Sequence, residues 1–428
     1  MSDGMTSGTR KHAAKENEIL VELTHVRRVE NVLREANVKW EVKESSEDLG
    51  LARLQLADMT TAAAQVADLV APRLTKADRY ALVVGDALDR LLTGLRSYFA
   101  VEGGELPRMG KNRLAGLVTN AASQNGGVIS YGGGGEPQPT REALPQPSGD
   151  AGRGLQVGLL DAQMWQAQLV ADGWTVQHGE VHPTVSGLVS TDSTERYGQA
   201  SGHAAFVIGL IRSRAPGATV HVRAVLDENG QAAVWDVAKE MVTLGKADID
   251  ILILPFVCYT RDHQPPLALA TAIKRLAPKV VVVAAAGNHG DAAWLDDDEH
   301  REIAWPAGLD RVVAVGASDG QEPASFTPKD PRWIDVLAPG VNLVSTYLDG
   351  PVRLQSGAVE HFNRSARWEG SSFSAALVGG AIAARTVPGQ CSSKDALQEI
   401  LDEAKTGSQS LPPIVKLDVL TDDQPDSR

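Results

Sequence analysis

The sequence predicts an α/β protein: a doubly wound parallel sheet preceded by a small α+β N-terminal domain. Three observations predict it. After Leu155, near-continuous apolar runs alternate with helical stretches almost to the end of the chain, as buried parallel strands alternate with crossover helices. Before that, residues 18–56 carry a strand, helix, strand, strand pattern of their own. Between the two lies a stretch rich in Gly and Pro that cannot build a core.

In the first part, residues 1–17 are polar and read as a loose tail, with the N-terminal domain expected over 18–121. Ile19-Leu20-Val21 reads as a strand. His25 to Ala36 carries Val26, Val29, Val32 and Leu33 at helical spacing. Trp40–Val42 and Leu49–Leu56 alternate like two further strands, and 60–121 reads as mostly helical. Residues 122–153 are expected to be an exposed linker, since Gly126–Arg153 holds four consecutive glycines, Gly132 to Gly135, and then Pro137, Pro139, Pro145 and Pro147.

The second domain is expected over 154–420. Its strands are predicted at Leu155–Leu160, Thr219–Val225, Ile249–Leu254, Val280–Ala285 and Val312–Val315, with helices at Ala232–Leu244 and Leu267–Leu276. Active sites in such sheets sit at the carboxyl ends of strands. Residues 421–428 read as a polar tail.

Composition narrows the classes. The chain has 428 residues and a formal net charge of -13, which argues against a nucleic-acid-binding surface built from clustered Lys and Arg. With only Cys258 and Cys391 there is no disulfide scaffold, and Cys258 in its apolar surroundings reads as a buried free thiol. The polar N-terminus lacks the apolar core of a secretion signal, and no apolar run is long enough to cross a bilayer. A cytoplasmic location without membrane contact is therefore expected.

Four polar residues stand where chemistry is done. Asp161 follows the run Leu155–Leu160; alone it would read as a turn or N-cap aspartate. His203 lies among small residues, Ala204, Ala205 and Gly209, that permit close helix packing; alone it would read as a buried histidine bonded to backbone. Ser372 opens a helical stretch, where its own N–H is free for an oxyanion, although Ser371 or Ser374 would cap equally well. Asn288 ends the run from Val280 to Gly287, as a turn residue or as a donor to a developing oxyanion.

Together these segments resemble the subtilisin family of serine peptidases. The order Asp, His, Ser is that family's order. Val157 to Asp161 is similar to its aspartate strand, Gly202-His203 with Val207 and Gly209 to its histidine helix, and Ala284 to Asn288 to its oxyanion segment. Gly370, Ser372 and Ala375 fit its serine motif and select Ser372 over its neighbours. Trp305-Pro306-Ala307 with Val312–Ala317, and Ser325-Phe326 with Val336–Gly340, are similar to two further family segments. The likeness spans about residues 153–405 and implies a catalytic triad of Asp161, His203 and Ser372 with Asn288 as oxyanion-hole donor. It also implies substrate-binding walls from Leu254, Pro255 and Phe256 on one side and Ala285, Ala286 and Gly287 on the other.

There are departures. Ala162-Gln163 stand where the family usually has Thr-Gly, and Ala204-Ala205-Phe206 where Gly-Thr-His is usual. Ser371 and Phe373 replace the usual Thr and Met, and Pro255-Phe256-Val257 the usual Ser-Leu-Gly. These changes touch substrate docking and leave the four reacting groups in place. The expected partners are a peptide or protein substrate and the chain's own N-terminal domain, in the position of the family's propeptide. Phe256 and Pro255 imply a restricted pocket. No cofactor is needed; the structural Ca²⁺ that family members often bind has no acidic loop here to argue for it. A catalytically silent peptide-binding relative is the alternative. An esterase with a Gly-x-Ser-x-Gly elbow is excluded at Ser372.

Overall fold

A computed structural model describes residues 13–117, 134–142, 144, 148–162, 181–183, 197–227, 229–292 and 295–420. The expected C-terminal tail lies outside them, as does the N-terminal tail up to residue 12.

The N-terminal domain begins earlier than expected, with strand β1 at Ala14–Glu22. Helix α1 (Val26–Glu35) buries Val29, Val32 and Leu33, the apolar stripe visible in the sequence. β2 (Trp40–Ser46) and β3 (Leu51–Leu56) follow, then α2 (Met59–Val70), α3 (Lys76–Ala81) and α4 (Ala87–Glu102). Asp58, Thr75 and Asp86 accept hydrogen bonds from the first turns of α2, α3 and α4, which satisfies backbone donors that a helix start leaves unpaired. The mostly helical expectation for 60–121 does not hold at its end, where Met109–Leu117 is a strand, β4.

β4 joins the two domains. Its first half pairs antiparallel with β1, which also pairs with β3. Its second half pairs on one edge with β10 (Gln231–Ala233) and on the other with β12 (Phe256–Val257).

The second domain is built as expected. Seven parallel strands run in the order β15, β14, β13, β11, β6, β9, β7, with β6 (Gln156–Ala162), β9 (Thr219–Leu226), β11 (Ile251–Leu254), β13 (Val281–Ala285), β14 (Val312–Ser318), β15 (Val336–Pro339) and the short β7 (Val181–Pro183). Helices α5 (His203–Arg214) and α8 (Ser371–Arg385) pack on one face, in the cluster that contains Val157, Leu159, Ile251 and Val283. Helices α6 (Val234–Lys246) and α7 (Leu267–Arg275) cover the other face. Two-sided burial explains why these strands read as unbroken Val, Ile, Leu and Ala. A smaller sheet pairs β16 (Leu343–Arg353) with β17 (Val359–Trp368) and with the short β8 (Tyr197–Gly198).

The apolar cluster under α6 and α7 also includes Leu20, Leu49 and Leu51 of the N-terminal domain and Ala115 and Leu117 of β4. The two domains therefore share a hydrophobic interface. Glu44 reinforces it by accepting hydrogen bonds from Lys239 and, at 2.8 Å, from Trp235 Nε1.

The expected linker is only partly free. Residues 134–139 form a strap: the short strand β5 (Gln138–Pro139) pairs with Arg367 and Ala366 of β17, and Gly134 and Pro137 are buried. Glu136 accepts from Ser356 at its backbone N–H and its hydroxyl. Nearer the second domain, residues 141–142 and 148–150 are exposed, as expected. Both cysteines are free. Cys258 is buried, and burial pushes its thiol up to about 12. Among the described residues no helix is long and apolar enough to cross a membrane.

Candidate active site

Asp161 is the penultimate residue of β6, at the carboxyl end of a central strand. Its two carboxylate oxygens lie 2.8 and 3.0 Å from Nδ1 of His203. A carboxylate there accepts from Nδ1–H, which leaves Nε2 for another partner.

His203 is the first residue of α5. The small residues around it have specific reasons. A side chain on Gly202 would run into the Tyr347 ring, and one on Gly209 into Ser345 and Thr346. Ser345 and Thr346 donate to the carbonyls of Phe206 and Ala205, at 2.8 and 2.6 Å, which anchors the first turn of α5 on β16. The imidazole itself is enclosed by aromatic rings, with Trp368 edge-on at 5.7 Å and Phe373 at 5.3 Å between centroids. The bland reading of His203, a histidine satisfied by backbone, fails because its partner is Asp161.

Ser372 is the second residue of α8. The three serines near this helix start have separate tasks. Ser371 accepts from the Gly287 N–H (3.0 Å), and Ser374 donates to the carbonyls of Ala338 and Pro339. The Ser372 hydroxyl donates to the Pro255 carbonyl at 2.8 Å. Pro255 lies between β11 and β12, so the hydroxyl stands beside the strand that clasps β4.

Asn288 closes the arrangement. Its Oδ1 accepts from the Ser371 N–H at 2.9 Å, which fixes the plane of the amide and turns Nδ2 towards Gly370. A Cβ built on Gly370 would lie 3.0 Å from that Nδ2, and one on Gly134 would lie 2.6 Å from it. The strap thus reaches the Asn288 amide. It is tied there by Trp368 Nε1, which donates to the Gly134 and Gly135 carbonyls at 3.1 and 3.0 Å. Beside it the Glu369 carboxyl is pushed up by burial, with the nearby Asp291 charge adding to the effect.

The six expected substrate-wall residues divide. Leu254 and Phe256 turn their side chains into the interdomain cluster, while the Phe256 backbone pairs with Leu117 of β4. Ala285 and Ala286 are fully buried at and just after the end of β13, and Gly287 turns the chain at φ +96. All four candidate side chains are shielded, with Asp161 and Asn288 at 0%, His203 at 1% and Ser372 at 2% exposure. Among the described residues no three His, Cys, Asp or Glu side chains gather as a metal cage would require.

Sequence reasoning missed the strap, the strand β4, and the pair Tyr259 and His289 beside the Gly287–Asn288 turn. For the last the signal was present: an aromatic hydroxyl and an imidazole within otherwise apolar segments.

The profile of the subtilase family matches residues 168–410, a stretch that begins just after Asp161 and takes in His203, Asn288 and Ser372. A thermophilic serine proteinase of Bacillus sp. (strain AK1) is 29% identical over 147 residues, 34% of this chain and 34% of that protein. Subtilisin DY of Bacillus licheniformis is 28% identical over 213 residues, 47% of this chain and 70% of it. The chain thus spans about a third of the length of the first of these relatives. Among solved structures, fervidolysin from Fervidobacterium pennivorans, a keratinolytic enzyme related to subtilisin, superposes with a TM-score of 0.57 at 14% identity, over 96% of this chain and 61% of that one. At that identity the likeness is one of fold.

Proposed function

The chain belongs to the subtilase family, and from that premise we propose that it is a serine endopeptidase acting through Asp161, His203 and Ser372 and restrained by its own N-terminal domain. The observation that carries the reading is the buried Asp161–His203 pair, whose imidazole packs 5.3 Å from the ring of Phe373, the residue after Ser372 at a helix start where Ser371 holds the Asn288 amide.

Ser372 Oγ would exchange its bond to the Pro255 carbonyl for one to His203 Nε2 and attack the scissile carbonyl. His203 takes the hydroxyl proton and gives it to the leaving amine. Asp161 holds the proton on Nδ1 and stabilises the imidazolium. Asn288 Nδ2 and the Ser372 N–H receive the oxyanion. Water then hydrolyses the acyl-enzyme, with His203 again as base.

The restraint is argued from β4. Leu114, Ala115 and Gly116 pair with β10 while Gly116 and Leu117 pair with β12. An extended peptide clasped on both edges beside the nucleophile is how a substrate would lie, and here the chain itself takes that place. Cutting between Leu117 and Gly134 would let the N-terminal domain leave without disturbing the strap. A tethered domain has a high effective concentration at its site, and a cut removes that advantage.

The test is labelling with a serine-directed fluorophosphonate and mapping of the adduct. Label at Ser372, lost in His203→Ala, is the expected result. Asn288→Ala should lower kcat by about 100- to 1,000-fold, a magnitude measured on subtilisin of this same family. A parent chain whose Ser372 takes no label, before or after cleavage of the connector, would refute the activity and favour a peptide-binding role.

A further inference from the structure

Tyr259 and His289 are buried polar groups that the proposed mechanism leaves unused. They stand at 1% and 0% exposure. The Tyr259 hydroxyl lies 2.7 Å from His289 Nδ1, with the rings edge to face at 5.0 Å. His289 Nε2 lies 3.0 Å from the Glu302 carbonyl oxygen. That carbonyl can only accept, so Nε2 carries the imidazole proton and donates. Nδ1 is then bare, and the Tyr259 hydroxyl donates to it. Burial pushes the Tyr259 phenol well above its ordinary range, so it stays a donor.

This pair sits against the turn that presents Asn288. A Cβ on Gly287 would lie 2.7 Å from the Tyr259 hydroxyl and 2.9 Å from His289 Nδ1. On its other side the same turn is held by Ser371, through Gly287 N–H and Asn288 Oδ1. Tyr259 is itself fixed to the loop after β12: Cys258 and Trp305 exchange backbone hydrogen bonds of 2.8 and 2.9 Å, and Trp305 Nε1 donates to Thr260 Oγ1 at 3.0 Å. The hydroxyl of Tyr259 therefore links two parts of the site, the strand that grips an extended peptide and the turn that carries the oxyanion donor.

We propose that Tyr259 and His289 are positioning residues that hold the Asn288 amide at the angle the oxyanion needs and join it to the peptide-gripping strand β12. The inference rests on the peptidase reading above. A preorganised donor costs no reorientation at the moment of reaction, whereas a loosened one must be re-aimed.

The variant that isolates the effect is Tyr259→Phe. It removes one oxygen and keeps the ring that packs with Val257 and Ala304 in the cluster to which Leu114 of β4 also belongs. The measurement is fluorophosphonate labelling of the full chain against reagent concentration, which separates reversible binding from the chemical step. Tyr259→Phe should slow the chemical step about tenfold and leave reversible binding unchanged, as expected for losing one aligned hydrogen bond. His289→Gln, which keeps an acceptor and a donor, should lose less than His289→Leu. Combined with Asn288→Ala, Tyr259→Phe should cost nothing further, because its effect passes through that amide. An unchanged rate, a change confined to binding, or an equal loss in the Asn288→Ala background would each overturn the proposal. A melting temperature measured alongside separates a loss of fold from a loss of aim: slow labelling with equal melting supports aim, and slow labelling that follows melting across all variants overturns it. If the parent chain takes no label at Ser372, the peptidase reading falls first and this inference with it.

Discussion

Leu117→Ala tests the proposed restraint of the site by the N-terminal domain. Leu117 ends β4 at 2% exposure, and its side chain belongs to the interdomain cluster, not to the core of its own domain. Its N–H donates to the Gly230 carbonyl at 2.8 Å, and its Cδ1 lies 2.8 Å from where a Cβ on Gly230 would stand, at a φ of +71. Truncating a buried leucine costs about 2–5 kcal/mol. Because its contacts are with the second domain, most of that loss falls on docking. Taking about 3 kcal/mol, and about 1.4 kcal/mol per factor of ten, the open fraction should rise by roughly 100-fold. The assay is the rate at which the full-length chain takes up a fluorophosphonate at Ser372, with intact mass checked so that cleaved protein is not counted. The N-terminal core should melt as in the parent. A labelling rate equal to the parent's, in a folded chain, would refute the view that β4 occupies the site.

Three further outcomes are expected. Gly134 has φ +97, a region that costs most residues about 1–2 kcal/mol, and a Cβ there would meet Asn288 Nδ2 and the Glu369 carbonyl; Gly134→Ala should release the strap, and faster limited proteolysis within 134–142, mapped by mass, checks it. Burial alone would raise the Glu44 carboxyl, but hydrogen bonds from Lys239 and Trp235 outweigh it and hold the group below its ordinary 4.5. A carboxyl held low when docked favours docking above its ordinary value and loses that contribution as pH falls through the depressed one, so docking should weaken on acidification; Trp235 fluorescence should report it, and Glu44→Gln should remove that part of the pH dependence. The fraction of a thiol present as reactive thiolate falls as its pKa rises, so the buried Cys258, pushed up to about 12, should resist iodoacetamide in the native chain, whereas Cys391, which is partly exposed, should react first; equal rates at the two sites would contradict the burial of Cys258.

What the sequence determined by itself follows from local and two-sided rules. Runs such as Ile251–Leu254 and Val281–Ala285 are apolar throughout because both faces of the sheet are covered, so the second domain's strands were legible without a structure. The spacing of Val29, Val32 and Leu33 marked α1 in the same way. Asp161, His203, Asn288 and Ser372 could be named from their short motifs, but not their contacts. Only the tertiary structure assigned Ser371 and Ser374 to backbone carbonyls and amides and turned the Ser372 hydroxyl to Pro255. It also decided β4 and the strap. Met109–Leu117 holds Gly110, Lys111, Arg113 and Gly116 in no alternating order, and Gly134–Pro139 is glycine and proline with two polar residues. Neither has an intrinsic preference for a strand; each becomes one because unpaired edges wait for it, β1, β10 and β12 in one case and β17 in the other. An edge lent by distant sequence leaves no period in the segment it captures, and for that reason the two segments that pack beside Pro255 and Asn288 were the ones the sequence did not announce.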